Sequence, residues 1–103
     1  QTGVEVKIII LNNEFLGMVR QWQQLFNDKR YSFVDIQSPN YVMVAKAYGI
    51  EAAKVDQRKQ LVQAIETMLT HKGSYLLEVM VGKENNVFPM VPQGCSVSEI
   101  RLK

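Results

Sequence analysis

The apolar residues of this chain follow two different periods. Residues 4–11 are nearly all β-branched or long aliphatic, with three consecutive isoleucines at 8–10. Such a run predicts a strand buried on both faces, as in a parallel sheet, and not an alternating edge strand. From residue 18 to residue 26 the period becomes helical. The predicted core-facing stripe of this helix is Met18, Val19, Trp22, Leu25 and Phe26.

A second helix is predicted after an irregular segment at 31–37. Ser38 reads as its N-cap and Pro39 as its first helical residue. Gly49 is well placed to end it. The buried face of this helix is expected to comprise Tyr41, Val44, Ala45 and Tyr48.

The next elements are a short strand at 52–55, a helix from Asp56 to His71, and an apolar strand at 75–81. The inward residues of this third helix are expected to be Leu61, Val62, Ile65, Met68 and Leu69. The order strand, helix, helix, strand, helix, strand predicts an α/β fold in which helices cover a mainly parallel sheet.

The last segment, 82–103, reads as an ordered tail with one helical turn after Ser96. Three strands make a narrow sheet, and the chain begins at Gln1 directly before a buried strand. We therefore expect residues 1–103 to be the C-terminal portion of a larger domain.

Composition and charge exclude several classes of function. The chain is 47% hydrophobic and 21% charged, as in an ordinary globular protein. Its net charge is +2 without a basic stripe, which argues against nucleic acid. No apolar stretch approaches the ~20 residues of a membrane span. The single cysteine and the lack of a signal peptide favour the cytoplasm.

Candidate chemistry is concentrated where the first strand ends in Asn12 and Asn13. Paired asparagines can simply form a turn. Alternatively, an amide oxygen and a backbone carbonyl are hard neutral donors that suit Mg²⁺. His71 is expected to be structural at a helix end, Glu78 to face a solvated edge or a lysine, and Cys95 to lack a catalytic base.

The residues around the asparagine pair resemble a known family. The stretch from Ile10 to Phe26, with Gly-Met-Val-Arg-Gln-Trp-Gln at 17–23, closely resembles the large catalytic subunits of acetolactate synthase (acetohydroxyacid synthase). The resemblance covers essentially the whole chain in order. It continues through residues 30–32, 39–41, 47–50, 76–79 and 88–92.

The resemblance implies a thiamine-diphosphate-binding domain with a split metal motif. In such enzymes the motif opens with Gly-Asp-Gly and closes with two asparagines. Here the Mg²⁺ ligands would be the side chain of Asn13 and the carbonyl of Phe15, while Asn12 would be structural. The segment along the cofactor would be Leu16, Gly17 and Met18.

The resemblance also assigns roles further along the chain. Trp22 would line the substrate channel, although an apolar helix position is by default a core position. Residues 90–94 belong to the segment that closes over the active site. Cys95 stands where many relatives have a second glycine or another small residue, so the detail of that closure differs here.

The activity implied is condensation of two pyruvates to 2-acetolactate, or of pyruvate with 2-oxobutyrate, with CO₂ release, in branched-chain amino-acid biosynthesis. A homodimer, a regulatory small subunit and an FAD bound outside these residues are implied as well. The isolated chain should be inactive, because the Gly-Asp-Gly half and the glutamate that activates the cofactor are not in it. A related thiamine-diphosphate decarboxylase or carboligase with another acceptor, and a non-enzymatic α/β binding module, are the alternatives.

Overall fold

A computed structural model describes residues 3–103, so the expectation about the chain start at Gln1 lies outside the described residues. The described chain forms two compact units. One contains the residues up to Glu14 together with Ile36–Gly82, and the other contains Phe15–Asp35 and Lys83–Lys103.

The first unit contains a three-stranded parallel sheet. Its strands are β1 (Lys7–Asn12), β2 (Glu51–Val55) and β3 (Tyr75–Met80), in the order β1-β3-β2. Lys7 of β1 and Glu51 of β2 both lie in register with Tyr75 of β3. The last strand in sequence is therefore central, and the predicted α/β class with a parallel sheet is confirmed.

Helix α2 (Tyr41–Ala47) begins later than expected. Asn40, and not Ser38, is its N-cap, because the Asn40 side chain accepts a hydrogen bond from the Met43 backbone N–H at 3.1 Å. The predicted end is confirmed. Gly49 has a φ of +74° and donates its N–H to the Lys46 carbonyl, while the Ile50 N–H bonds to the Ala45 carbonyl. This pairing is a Schellman motif.

Two apolar clusters hold the sheet to its helices. Ala45 of α2 packs with Ala52 and Leu76, and partly buried neighbours join them. The predicted buried face of α2 is only partly confirmed, because Val44 is 45% exposed and Tyr48 is 80% exposed. The side chains that pack with this cluster are Ile10, Tyr41, Val42 and Ile50.

Helix α3 (Leu61–Thr70) follows a 3₁₀ turn at Arg58–Gln60 and covers the other cluster, which is built on Val55, Tyr75 and Leu77. The α3 residues in this cluster are Leu61, Ala64, Ile65 and Met68. Their spacing is a single stripe of i, i+3, i+4 and i+7. Val62 and Leu69, expected to point inward, lie beside that stripe and are exposed.

The prediction that β1 is buried on both faces is wrong. Within residues 3–103, β1 is an edge strand, and Ile8 and Ile9 are 38% and 50% exposed. Ile10 alone of the three isoleucines packs with the α2 cluster. The α3 cluster is built on residues of β2 and β3, so α3 does not cover the Ile9 side of β1.

The second unit consists of α1 (Gly17–Phe26), the segment that follows it and the tail. The apolar stripe predicted to face the core is largely exposed: Met18, Val19, Trp22 and Phe26 are 37–48% exposed. The buried residues of α1 are instead Arg20 and Gln21. The predicted helical turn in the tail is confirmed as a 3₁₀ turn at Val97–Glu99.

Within the described part of the chain, every helix is too short or too polar to traverse a lipid bilayer.

Candidate functional site

Asn12 is the centre of a hydrogen-bond network in the first unit. It ends β1 and is 8% exposed. Its Nδ2 donates to Glu78 Oε2 at 2.8 Å, and its Oδ1 accepts the Glu14 backbone N–H at 2.9 Å. The Ser38 hydroxyl donates to the same Oδ1 at 3.4 Å. Every polar atom of the Asn12 amide is therefore engaged, which fits a structural role for this residue.

Glu78 was expected to face a solvated edge or a lysine. The solvated edge is wrong, because Glu78 is buried in the central strand at 3% exposure. Its register neighbours are Ile10 on β1 and Lys54 on β2. Lys54 is exposed, and the carboxylate of Glu78 bonds to the amide of Asn12. The central position of β3 is what buries it, and the local sequence does not reveal that position.

Asn13 is half-buried and lies between Asn12 and Glu14. The hydrogen bond from the Glu14 N–H to the Asn12 side chain closes a turn around it. Glu14, which follows it, has a φ of +62°. This is the left-handed region that non-glycine residues seldom occupy. The Glu14 carbonyl in turn accepts the Ile36 N–H at 2.8 Å. The backbone around Asn13 is thus fixed on both sides by hydrogen bonds.

A polar cavity of about 230 Å³ opens beside this network in the first unit. Its lining combines two carboxylates, one amine, and amide and hydroxyl groups. The residues are Asn12, Glu14, Ser38, Pro39, Asn40, Lys54 and Glu78. The predicted N-cap Ser38 therefore contributes to the cavity wall and to the Asn12 network.

The other residues expected at the cofactor belong to the second unit, because the boundary between units falls after Glu14. The aromatic ring of Phe15 contacts two cations, Arg20 Cζ at 5.4 Å and Lys83 Nζ at 5.1 Å. The Leu16 N–H bonds to the Val34 carbonyl at 2.8 Å.

Helix α1 begins directly after Leu16, with Gly17 as its first residue. Leu16, Gly17 and Met18 are all exposed. Leu16 is the N-cap residue and provides no side-chain cap. The first backbone N–H groups of α1 are consequently not satisfied by a capping side chain, and a helix start of this kind favours an anionic group.

Two buried polar residues of α1, which the sequence did not single out, hold the tail. Arg20 donates to the Lys83 carbonyl at 3.2 Å and forms a 2.8 Å ion pair with Glu84. Its guanidinium also lies 4.5 Å from the centroid of the Tyr31 ring. Gln21, at 1% exposure, pairs with the backbone of Val87. Its Nε2 donates to the Val87 carbonyl at 2.9 Å and its Oε1 accepts the Val87 N–H at 2.8 Å.

Trp22 lies at an apolar cavity of about 470 Å³ in the second unit. The cavity is lined by α1 and by the tail: Trp22, Phe26, Met90, Val91, Pro92 and Gln93. The structure thus brings Trp22 together with the tail segment that the sequence associated with site closure. Gln21 Nε2 also lies 3.2 Å from Met90 Sδ, so the contacts of Gln21 extend to the cavity wall.

The remaining candidates contribute little to a site. His71 follows α3, and its N–H bonds to the Thr67 carbonyl, as expected for a helix end. Cys95 is exposed. In the tail, the Ser96 backbone N–H donates a hydrogen bond to the Glu99 carboxylate. This bond is the main reason why the pKa of Glu99 lies below its usual 4.5, and a hydrogen bond from the Ser96 side chain is the second.

The two metal ligands that the resemblance implies, the Asn13 amide and the Phe15 carbonyl, are neutral oxygens. Across residues 3–103 no three His, Cys, Asp or Glu side chains are grouped so that they could hold a metal ion. The Asn13 amide and the Phe15 carbonyl are hard donors of the type that Mg²⁺ accepts, and Mg²⁺ is usually also bound by carboxylates and phosphates. The donors in the chain therefore fit part of a magnesium site.

The asparagine turn lies at the carboxyl edge of a parallel sheet, which is where open α/β domains bind their ligands. Residues 1–79 match the family of the C-terminal TPP-binding domain of thiamine pyrophosphate enzymes, and the chain belongs to this family.

The most similar curated relatives include acetolactate synthases, as the resemblance implied. The chain is 44% identical to the mitochondrial acetolactate synthase of Schizosaccharomyces pombe over 99% of its length and 15% of the relative. It is 45% identical to the large subunit of acetolactate synthase isozyme 2 of Escherichia coli, over 95% of the chain and 18% of the relative. The chain thus spans less than a fifth of the length of these relatives.

A solved structure supports the same fold. It is the thiamine diphosphate-dependent 4-hydroxybenzoylformate decarboxylase of Rhodococcus jostii RHA1, with a TM-score of 0.65 and 27% identity over 75% of this chain and 15% of that one.

Proposed function

We propose that this chain is the C-terminal part of the cofactor domain of an acetolactate synthase. The protein carrying it would condense two pyruvates to 2-acetolactate, or pyruvate with 2-oxobutyrate, and release CO₂. The observation that carries the proposal is 44–45% identity to two acetolactate synthases over nearly the whole chain.

The proposed cofactors are thiamine diphosphate and Mg²⁺. We assign Asn13 and the carbonyl of Phe15, two residues further along the chain, as metal ligands. The exposed segment from Leu16 to Met18 would lie along the cofactor, and the uncapped start of α1 suits its anionic diphosphate. The cofactor supplies the chemistry of decarboxylation, while the protein supplies binding and orientation.

A carboxylate ligand for the metal would come from the part of the protein outside this chain. Mg²⁺ binding without a carboxylate is weak, so the isolated chain of 103 residues is expected to be inactive and not to bind thiamine diphosphate with Mg²⁺. Isothermal titration of both into the isolated chain tests this, and micromolar binding would refute it.

Trp22 and the tail residues around the apolar cavity would form the wall of the substrate channel. Their side chains suit a small substrate with an apolar end, such as the methyl group of pyruvate. A homodimer, an FAD bound elsewhere in the protein, a regulatory subunit and a cytoplasmic location are further parts of this proposal.

The decisive experiment is an assay of the full-length protein with thiamine diphosphate and Mg²⁺. Pyruvate is supplied alone and together with 2-oxobutyrate, and CO₂ and the 2-hydroxy-2-alkyl acid products are quantified by mass spectrometry. We expect one CO₂ per carboligation product. CO₂ release with aldehyde as the only organic product would instead favour a simple decarboxylase, the activity named for the Rhodococcus jostii protein.

The metal assignment is tested by Asn13→Ala in the same protein. Removing the amide oxygen should weaken Mg²⁺ binding at saturating thiamine diphosphate by at least tenfold. The matched control is Asn86→Ala, which removes an amide from the tail. An unchanged Mg²⁺ dissociation constant for Asn13→Ala would contradict the assignment.

A further inference from the structure

Glu78 has no role in the function proposed so far, although it is a buried carboxylate in the central strand. Burying a carboxylate is costly unless hydrogen bonds compensate for it, and an apolar residue usually serves a core better. Its neighbour two residues earlier on β3, Leu76, belongs to the apolar α2 cluster. What distinguishes Glu78 from Leu76 is the wall of the polar cavity, where its carboxylate is held by the Asn12 amide.

The contacts of Glu78 lead directly to the asparagine turn. Its Oε2 accepts a hydrogen bond from Asn12 Nδ2, which obliges the Asn12 amide to turn its oxygen the other way. That oxygen accepts the Glu14 N–H. The Asn12 side chain thus connects Glu78 on β3 to Glu14, the residue that follows Asn13.

We propose that Glu78 is a positioning residue for Asn13. By holding the amide of Asn12 in one orientation, it keeps Glu14 in its left-handed conformation and presents the backbone of Asn13 in one geometry. The role resembles that of the outer residues which orient metal ligands in other sites and whose loss commonly weakens metal binding 10–100-fold. The inference rests on the proposed role of Asn13 as a Mg²⁺ ligand.

The test compares Glu78→Leu and Glu78→Gln in the protein that carries this chain. Leucine removes the acceptor, so the Mg²⁺ dissociation constant at saturating thiamine diphosphate should rise about tenfold or more. Glutamine keeps an acceptor oxygen, so its constant should stay within about threefold of the unsubstituted value. Glu51→Leu and Glu51→Gln, at an exposed carboxylate on β2, are the matched controls and should change nothing.

Hydrogen exchange gives a second readout that does not depend on the metal. Without Mg²⁺ or thiamine diphosphate, exchange at the Glu14 amide should accelerate at least tenfold in Glu78→Leu but not in Glu51→Leu. A merely structural role would lower the melting temperature without this selective change. If Glu78→Leu is folded and neither its Glu14 exchange nor its Mg²⁺ binding differs from the control, the proposal is overturned.

An isosteric pair keeps the proposal testable if the leucine variant does not fold. Asn12→Asp places a second carboxylate against Glu78 and should accelerate Glu14 exchange at pH 8. Adding Glu78→Gln should restore slow exchange, because the new amide can donate to the carboxylate that Asn12→Asp introduces. Failure to restore it overturns the proposal. If Asn13→Ala leaves Mg²⁺ binding unchanged, the metal role fails, whereas the exchange results still decide whether Glu78 fixes the turn.

Discussion

Gln21 provides the sharpest test of how the second unit holds its tail. Its side chain is almost wholly buried and makes two hydrogen bonds to the Val87 backbone, at 2.8 and 2.9 Å, besides its contact with Met90 Sδ. Substituting Gln21→Ala removes all three. We expect the tail to detach more readily from α1, while the rest of the chain keeps its fold.

The size of the effect follows from these two amide bonds. Each contributes about 1 kcal/mol net, so the tail should lose about 2 kcal/mol of docking free energy. Val87 is 59% exposed, so water can take over its backbone groups and the loss should not be much larger. Since 1.4 kcal/mol corresponds to a factor of ten, the ratio of docked to detached tail should fall roughly thirtyfold.

The single tryptophan of the chain makes this measurable. Trp22 shares its cavity with tail residues 90–93, so detachment should shift its fluorescence emission to the red and increase quenching by acrylamide. Limited trypsin digestion after Lys83 should accelerate in parallel. Gln63→Ala, at an exposed glutamine of α3, is the control. Unchanged emission, quenching and cleavage in Gln21→Ala would refute the inference that Gln21 holds the tail on α1.

Two further predictions each remove one hydrogen-bonding side chain. Ser96→Ala leaves the backbone N–H in place but removes the hydroxyl, so the pKa of Glu99 should rise part of the way towards 4.5 and stay below it, as measured by NMR titration. Because the folded pKa is depressed, the stabilisation by Glu99 is present above its unfolded pKa and is lost as the pH falls through the folded pKa. Lys7→Met removes the bonds from Lys7 Nζ to the carbonyls of His71 and Gly73, so the free energy of unfolding should fall by about 1–3 kcal/mol in urea denaturation.

Each of these two predictions has a control and a contrary result. Ser32→Ala, at an exposed serine outside the tail, should leave the pKa of Glu99 lower than that in Ser96→Ala, and equal values in both variants would contradict the stated cause. Lys72→Met removes an exposed amine next to the same helix end. A loss of stability as large in Lys72→Met as in Lys7→Met would show that overall charge, and not the carbonyl bonds, is responsible.

The sequence predicted well those features that depend on neighbouring residues. The Schellman end of α2 at Gly49 and the helical turn after Ser96 are fixed by interactions within a few residues, so the local pattern was sufficient. The asparagine turn after β1 was also visible, because a change from apolar to amide residues marks the end of the strand.

Features that depend on distant pairing were predicted poorly. Periodicity shows which residues of α1 share a face but not which face is buried. The tail residues that bind Arg20 and Gln21 are more than 60 positions away in the sequence. Glu78 is separated from Asn12 by 66 residues. Its burial depends on the central place of β3 in the strand order, which the residues next to Glu78 do not reveal.

The strand order also determines when the sheet can form during synthesis of the chain. Both β1 and β2 pair with β3, the last strand to be made, and β1 is 68 positions away in register. Neither earlier strand can complete its backbone hydrogen bonds until residues 75–80 have left the ribosome. Parallel pairing over such separations is slow, so β1 and β2 lack their β3 partner throughout that interval.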